Sequence, residues 1–301
     1  MTRVLVTGGA GRLGQLVVEE LTERGHSVMS LDRVPWNGPV RPGVTEVVAD
    51  LLDPDVAQQY AQGIDVVAHL AAELLPTPSC LRTNQQTTWN VLMAAVDCGV
   101  RRVVYASSVY AFGHHWGFTA DQYPDGYQRY EIDEIMSVAM FPIDEESQPA
   151  PQDPYSASKL LNEQSAHAVS ISHGLCTVGL RFGDIWFEAL QTWWQRPPTP
   201  HRPAKGEKFD FWNYVDGGDA TRAVAEAIER EGLPLATVMF IIADDTQVRE
   251  GTREALAASF PELLKRIPPD MGSRASLFSN RRAREILGWA PMVSWKGFEP
   301  Q

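Results

Sequence analysis

Tyr155 and Lys159 stand four apart in Tyr155-Ser156-Ala157-Ser158-Lys159, a spacing that puts both on one face of a helix, about 6 Å apart at Cβ. A free phenol titrates near ~10 and is a poor base at neutral pH, but an adjacent ammonium favours its ionised form. The pair is a candidate for moving a proton at an alcohol oxygen, and the lysine could also hold a ribose. Ser107-Ser108 follows a β-branched run and could bond the same oxygen. A Tyr-x-x-x-Lys spacing alone is common, so its weight comes from its surroundings. Upstream, Thr7-Gly8-Gly9-Ala10-Gly11-Arg12-Leu13-Gly14 follows one apolar run directly and opens a helix-period segment. Glycines at 8, 11 and 14 let the backbone approach a pyrophosphate, and the helix N-terminus adds free N–H donors and a positive dipole end. Asp32, 18 residues beyond Gly14, ends the second run, where a carboxylate can accept from a ribose 2′-hydroxyl. It would repel a 2′-phosphate, which favours NAD; Arg12 and Arg33 beside it could neutralise one, which leaves NADP open. Asp50 and Leu51, read as the end of the third strand, are expected to border the adenine. Leu70, Ala71 and Ala72 after the fourth are expected to line the cofactor. His69 reads better as a buried histidine bonded to backbone than as a ligand.

Such residues need a scaffold that gathers distant segments along one edge. Runs Arg3–Thr7, Ser27–Leu31, Thr45–Ala49, Asp65–Leu70, Arg102–Ala106 and Leu175–Leu180 are nearly continuous in apolar residues, as strands buried on both faces should be. Between them, Leu13, Leu16, Val17 and Leu21, and again Trp89, Leu92, Met93 and Val96, repeat at helical spacing and are expected in the core. The pattern predicts an α/β fold with a Rossmann-type doubly wound parallel sheet over residues 1–182. Residues 183–301 are expected to form mainly a smaller C-terminal substrate-binding α/β subdomain, with about 210–230 returning to the first domain. That part holds predicted helices at Asp219–Glu229, Thr252–Phe260 and Asn280–Leu287, the last capped by Gly288, and a strand at Thr237–Ile242. Two stretches break the rhythm. His114–Phe141 is dense in aromatics and reads as a lid or packed insertion, and Arg196–Arg202 is rich in proline.

A hydrophobic share of 44% with 21% charged residues excludes wholesale disorder. No apolar run is long enough to span a membrane. The net charge of −12 repels phosphate backbones, so nucleic acid is not expected as a partner. Cys80, Cys98 and Cys176 lack C-x-x-C or histidine spacing, so neither a disulfide framework nor a metal site is expected. Cys98 reads as a buried thiol and His114-His115 as loop. With no room before Gly8 for a signal peptide, a reduced cytoplasm is the expected location.

Taken together, these motifs resemble the extended short-chain dehydrogenase/reductase family, within it the NAD-dependent epimerase/dehydratase branch. The likeness runs nearly the whole length. It is carried by the glycine turn, Asp32, His69-Leu70-Ala71-Ala72, Asn84, Ser107-Ser108-Val109-Tyr110, Asp144-Glu145-Glu146, Tyr155 with Lys159, Leu180-Arg181-Phe182 and Leu287-Gly288-Trp289. The resemblance implies Tyr155 as general acid/base, Lys159 as its electrostatic helper, Ser108 as polarising hydroxyl and Asn84 as a cofactor-side support. Ser108 is preferred to Ser107 because it lies five residues before Gly113. Family members often pair through helices equivalent to Thr83–Cys98 and Tyr155–Ser172, so a homodimer is expected.

The departures bear on substrate. Relatives acting on nucleotide sugars typically carry an asparagine after the Leu-Arg-aromatic stretch; here Gly183-Asp184 follows. They commonly carry an arginine before the Asp-aromatic segment; here Phe209 precedes Asp210-Phe211-Trp212. Dehydratases place an Asp-Glu pair where this chain has Val109-Tyr110. Ser107, Ser108, Gly183, Asp184 and Phe209 are the expected substrate contacts. The reading is a small-molecule, NAD-dependent oxidoreductase acting at a secondary alcohol or ketone of a sugar-like or other small polyhydroxylated substrate. The alternative is a UDP-sugar epimerase that retains NAD. A non-catalytic dinucleotide sensor ranks below both.

Overall fold

The apolar runs pair in register into one seven-stranded parallel sheet in a computed structural model of the chain, which describes residues 1–113, 139–151, 153–187 and 210–294. Its strands are β1 (Arg3–Thr7), β2 (Ser27–Asp32), β3 (Val44–Val48), β4 (Val66–His69), β5 (Arg102–Ser108), β6 (Cys176–Phe182) and β9 (Ala236–Ile241). Short β7 (Ile185–Trp186) and β8 (Val215–Asp216) pair separately. The order is β3-β2-β1-β4-β5-β6-β9. The chain builds outward from β1 in one direction and then, from β4, in the other. Connections therefore diverge at the β1/β4 boundary and open a crevice at the strands' carboxyl ends.

The helices are α1 (Arg12–Glu23), α2 (Pro54–Ala61), α3 (Pro78–Asp97), α4 (Pro154–His173), α5 (Gly217–Glu229), α6 (Thr252–Ser259) and α7 (Arg281–Leu287). On one face of the sheet Val4 and Val6 pack with Val17, Val18 and Leu21 of α1 and Val224 and Ile228 of α5. On the other, Leu5 and Val103 pack with Leu92 of α3 and Val169 of α4. A third cluster is aromatic: Phe141 meets Phe211 edge-on at 5.5 Å, and Phe240 lies 5.4 Å from Phe278. Phe141 thus belongs to the core, while 114–138 of the predicted insertion and 196–202 of the proline-rich stretch lie outside the described residues.

Several boundaries differ from expectation for identifiable reasons. β5 and β6 each run two residues past the predicted ends, pairing Ser107 with Arg181 and Ser108 with Phe182, because a buried carboxylate partners their polar side chains. Asp50 and Leu51 lie beyond β3, not at its end. The Asp50 carbonyl and side chain accept the Asp53 and Leu52 N–H groups and turn the chain toward α2. Trp89 of the predicted core stripe is 47% exposed, whereas Leu92 is buried.

A strap closes the far end of the described chain over α5. Trp289, fully buried, donates its indole N–H to the Asp219 carbonyl at 3.0 Å. The Asp219 carboxylate accepts the Met292 and Val293 N–H groups at 2.8 and 2.9 Å and pairs with Arg222 at 2.6 Å. Asp219→Ala strands the Met292 and Val293 N–H groups and takes the carboxylate from Arg222, and the expected result is a loss of about 3 kcal/mol in stability by denaturant unfolding, since buried bonds to a charge are the expensive ones to remove.

Candidate functional site

The first turn is shaped by what its glycines exclude. Gly8 adopts a positive φ of 74°, and a Cβ there would lie 2.6 Å from the Ala71 nitrogen. A Cβ on Gly14 would lie 2.1 Å from the Gly8 carbonyl oxygen, so only glycine lets α1 start this close to β1. Gly11 caps α1 in extended conformation and its N–H donates to the Gly8 carbonyl at 3.0 Å. Asp32 steadies the turn from β2: its carboxylate accepts the Ala10 N–H at 3.1 Å and the Val34 N–H at 3.2 Å.

A cleft of about 490 Å³ runs along this edge of the sheet. It is lined by Gly8, Gly11, Arg12, Leu13 and Gly14 of the turn, by Asp32 at the end of β2 with Arg33 after it, and by Asp50 and Leu51 beyond β3. Leu70, Ala71, Ala72 and Asn84 also line it, and so do Ser107, Ser108, Tyr155, Lys159, Gly183 and Asp184. Phe209 lies outside the described residues, as do His114 and His115. The cleft also takes in Tyr110 and Phe187, to which sequence reasoning gave no part in binding. The Arg12 guanidinium stacks over the Phe187 ring at 4.4 Å, a contact across 175 positions that no local pattern signals.

Asp153 and Pro154 start α4 and so set where its first turns point. The Asp153 carboxylate accepts the Ser156 N–H at 2.9 Å, and Pro154 occupies the first helical position, where a missing N–H costs nothing. Tyr155 and Lys159 then face the end of β5, both buried. Lys159 Nζ donates to the Ala106 carbonyl at 2.8 Å and stands 5.5 Å from the Tyr155 ring centroid. A hydrogen bond from Ser108 favours the phenolate, yet burial outweighs it and raises the phenol above its ordinary range. The same burial lowers the Lys159 ammonium to about 8.

The neighbours divide into reacting surface and support. Ser107 lines the cleft but donates its hydroxyl inward to Glu163. The Asn84 amide donates to the Glu73 carbonyl and the Ser158 hydroxyl, each at 3.0 Å, and accepts the Glu73 N–H at 2.8 Å, so it clamps the segment after β4 to α4. Cys80, which no motif flagged, donates its thiol to the Glu73 carbonyl, and burial pushes it up to about 12, which keeps it protonated. Cys98 is half-buried and accepts from Gln62, not a fully buried thiol. His69 is buried as expected, but its ring bonds the Thr7 and Thr88 hydroxyls at 2.8 and 3.1 Å in place of backbone. Burial lowers it to about 3, so it is neutral at physiological pH. Among the described residues no cluster of three His, Cys, Asp or Glu could hold a metal, and no helix is long and apolar enough to cross a membrane.

The model of the NAD dependent epimerase/dehydratase family matches residues 4–185. A 3-beta-hydroxysteroid dehydrogenase of Mycolicibacterium neoaurum is 38% identical over 116 residues, 35% of this chain and only 32% of that protein's length. An L-arabinose 1-dehydrogenase (NAD(P)(+)) of Haloferax volcanii is 29% identical over 260 residues, covering 81% of this chain and 90% of that one. The structure of a Thermus thermophilus UDP-glucose 4-epimerase in complex with NAD is similar with a TM-score of 0.64 and 26% identity, over 97% of this chain and 94% of that one.

Proposed function

The chain belongs to the NAD-dependent epimerase/dehydratase family, and from that premise we propose that it is an NAD-linked dehydrogenase acting at an alcohol carbon of a sugar-like or other small polyhydroxylated substrate. One observation carries the reading: Ser108, Tyr155 and Lys159 line the same cleft as the glycine turn and Asp32. The residues fit a dinucleotide. Gly8 and Gly14 sit where any side chain would strike backbone, which leaves the start of α1 accessible to a pyrophosphate, and Asp32 ends β2 within the cleft to accept from a ribose. When bound, the oxidised dinucleotide supplies the hydride acceptor. Ser108 and Tyr155 hold the substrate oxygen, Tyr155 takes its proton, and the Lys159 ammonium holds ribose hydroxyls and stabilises the phenolate.

Oxidation of a free sugar is favoured over epimerisation of a UDP-sugar by two absences in the sequence. No asparagine follows Leu180-Arg181-Phe182, and Phe209 stands where a diphosphate-gripping arginine is expected. The alignment with an arabinose dehydrogenase supports this reading, as the similarity to a UDP-glucose 4-epimerase supports the alternative. Gentle purification without added cofactor, followed by denaturation and quantification of released dinucleotide, tests this choice. A site that exchanges NAD freely is expected; near-stoichiometric retained NAD would favour the epimerase.

Asp32 selects NAD in this reading, with Arg33 beside it as the residue that would tolerate NADP. Asp32→Ala should weaken NADH binding by about tenfold, the worth of one charge-assisted hydrogen bond. It should also narrow the gap to NADPH in parallel fluorescence titrations. An unchanged preference would move the selector elsewhere. A homodimer through α3 and α4 is part of the proposal, supported by exposed Trp89, Leu161 and Ile171 on those helices. The three free cysteines suit a reducing cytoplasm.

A further inference from the structure

Behind the reacting residues lies a buried polar group that the chemistry above leaves unused. Glu163 stands one turn beyond Lys159 on α4, as Lys159 stands one turn beyond Tyr155, so the three follow one helix face. One Glu163 oxygen accepts the Ser107 hydroxyl at 2.5 Å and Arg181 Nε at 2.8 Å; the other accepts Arg181 Nη2 at 2.7 Å. Glu163 and Arg181 are both almost fully buried. Two successive residues of β5 are thereby tied to α4: Ala106 by its carbonyl to Lys159, and Ser107 by its hydroxyl to Glu163. Ser108 comes next, and Arg181 is the register partner of Ser107 on β6. A buried ion pair is a weak source of net stability because desolvation offsets its attraction. Its place against the site suggests a different use.

We propose that Glu163 is a positioning residue that fixes the end of β5 against α4 and, through its negative charge, keeps the neighbouring Lys159 ammonium protonated for dinucleotide binding. The proposal rests on the reading of Lys159 given above. The groups facing Lys159 are Tyr155 and Glu163 on α4, His69 on β4 and Cys80 on α3, with Arg181 of β6 beyond Glu163 and Asp153 acting on Tyr155 and Cys80. His69 is neutral, Cys80 stays a thiol, and burial keeps Tyr155 a phenol. Beside the Cys80 sulfur, Glu163 is thus the carboxylate that offsets the desolvation of Lys159.

NADH serves as the probe. Its affinity, read by fluorescence across neutral and alkaline pH, should fall as Lys159 loses its proton. In Glu163→Gln the midpoint of that fall should move down by about one pH unit. Glu163→Asp, which keeps the charge, should stay near the parent. Where Glu163→Gln alone does not fold, pairing it with Arg181→Met removes the stranded guanidinium, and a smaller downward shift is expected because a cation leaves with the carboxylate. A parent-like midpoint accompanied only by lower thermal stability would overturn the proposal and leave Glu163 a structural residue. Lys159→Ala separates the two readings. If it abolishes the pH step while Glu163→Gln leaves the midpoint in place, the Glu163 proposal alone fails. If Lys159→Ala keeps both affinity and pH step, the role given to Lys159 fails and takes the proposal with it.

Discussion

Tyr155→Phe should lower NAD-linked turnover by about 10²–10⁴-fold, the usual worth of a positioned general acid or base, while NADH still binds with unchanged affinity. The substitution removes one hydroxyl and keeps the ring, which lies edge-on to Tyr110 at 6.4 Å in a buried setting. Packing therefore stays, and the group that moves the proton goes. The pH profile adds a direction. Burial raises the Tyr155 phenol, so its base form is the minor one at neutral pH. Oxidation, which needs that base, should accelerate as pH rises; reduction, which needs the phenol as acid, should slow. Steady-state rates in both directions check this, and a fully active phenylalanine variant would remove Tyr155 from its role.

The second large effect belongs to the turn. Gly14→Ala places a Cβ 2.1 Å from the Gly8 carbonyl oxygen and 2.9 Å from the Gly9 Cα, and both obstacles are backbone that no rotamer change relieves. The start of α1 must shift, and the cost is about 1–3 kcal/mol of overpacking strain. Because the same backbone is to receive the pyrophosphate, NADH affinity should drop by more than about tenfold, as expected when near 1.4 kcal/mol is lost from binding. Gly11→Ala is the control. Its Cβ would meet only the Gly8 carbonyl oxygen, at 3.1 Å against 2.1 Å for Gly14, so it should lose less stability than Gly14→Ala. Equal NADH affinity in Gly14→Ala and the parent would show that the turn does not hold the dinucleotide.

What the sequence made legible were features encoded locally. β1 followed by glycines, Asp32 at the end of β2 and the Tyr155/Lys159 spacing each fit inside one element, and the sheet edge gathers them into one cleft. What it hid depends on partners far along the chain. Arg181 looks like the end of a strand until Glu163, 18 residues earlier, is seen to neutralise it. The burial that raises the Tyr155 phenol was hidden for the same reason, since it is a property of the packed chain. Trp89 satisfied a helical period yet faces outward. Phe211 and Trp212, both at positive φ, occupy a backbone conformation that their own residue types do not announce.

The claim that NAD oxidises a free sugar in this cleft, with Tyr155 taking the proton, and leaves as reduced cofactor each cycle is tested most directly by following NADH absorbance with catalytic protein, excess NAD and a panel of aldoses, sugar acids and UDP-sugars. NADH should accumulate far beyond one equivalent per chain with at least one free sugar or sugar acid, with no such signal in Tyr155→Phe. Silence with every free sugar, together with interconversion of UDP-sugars at constant absorbance, would contradict it.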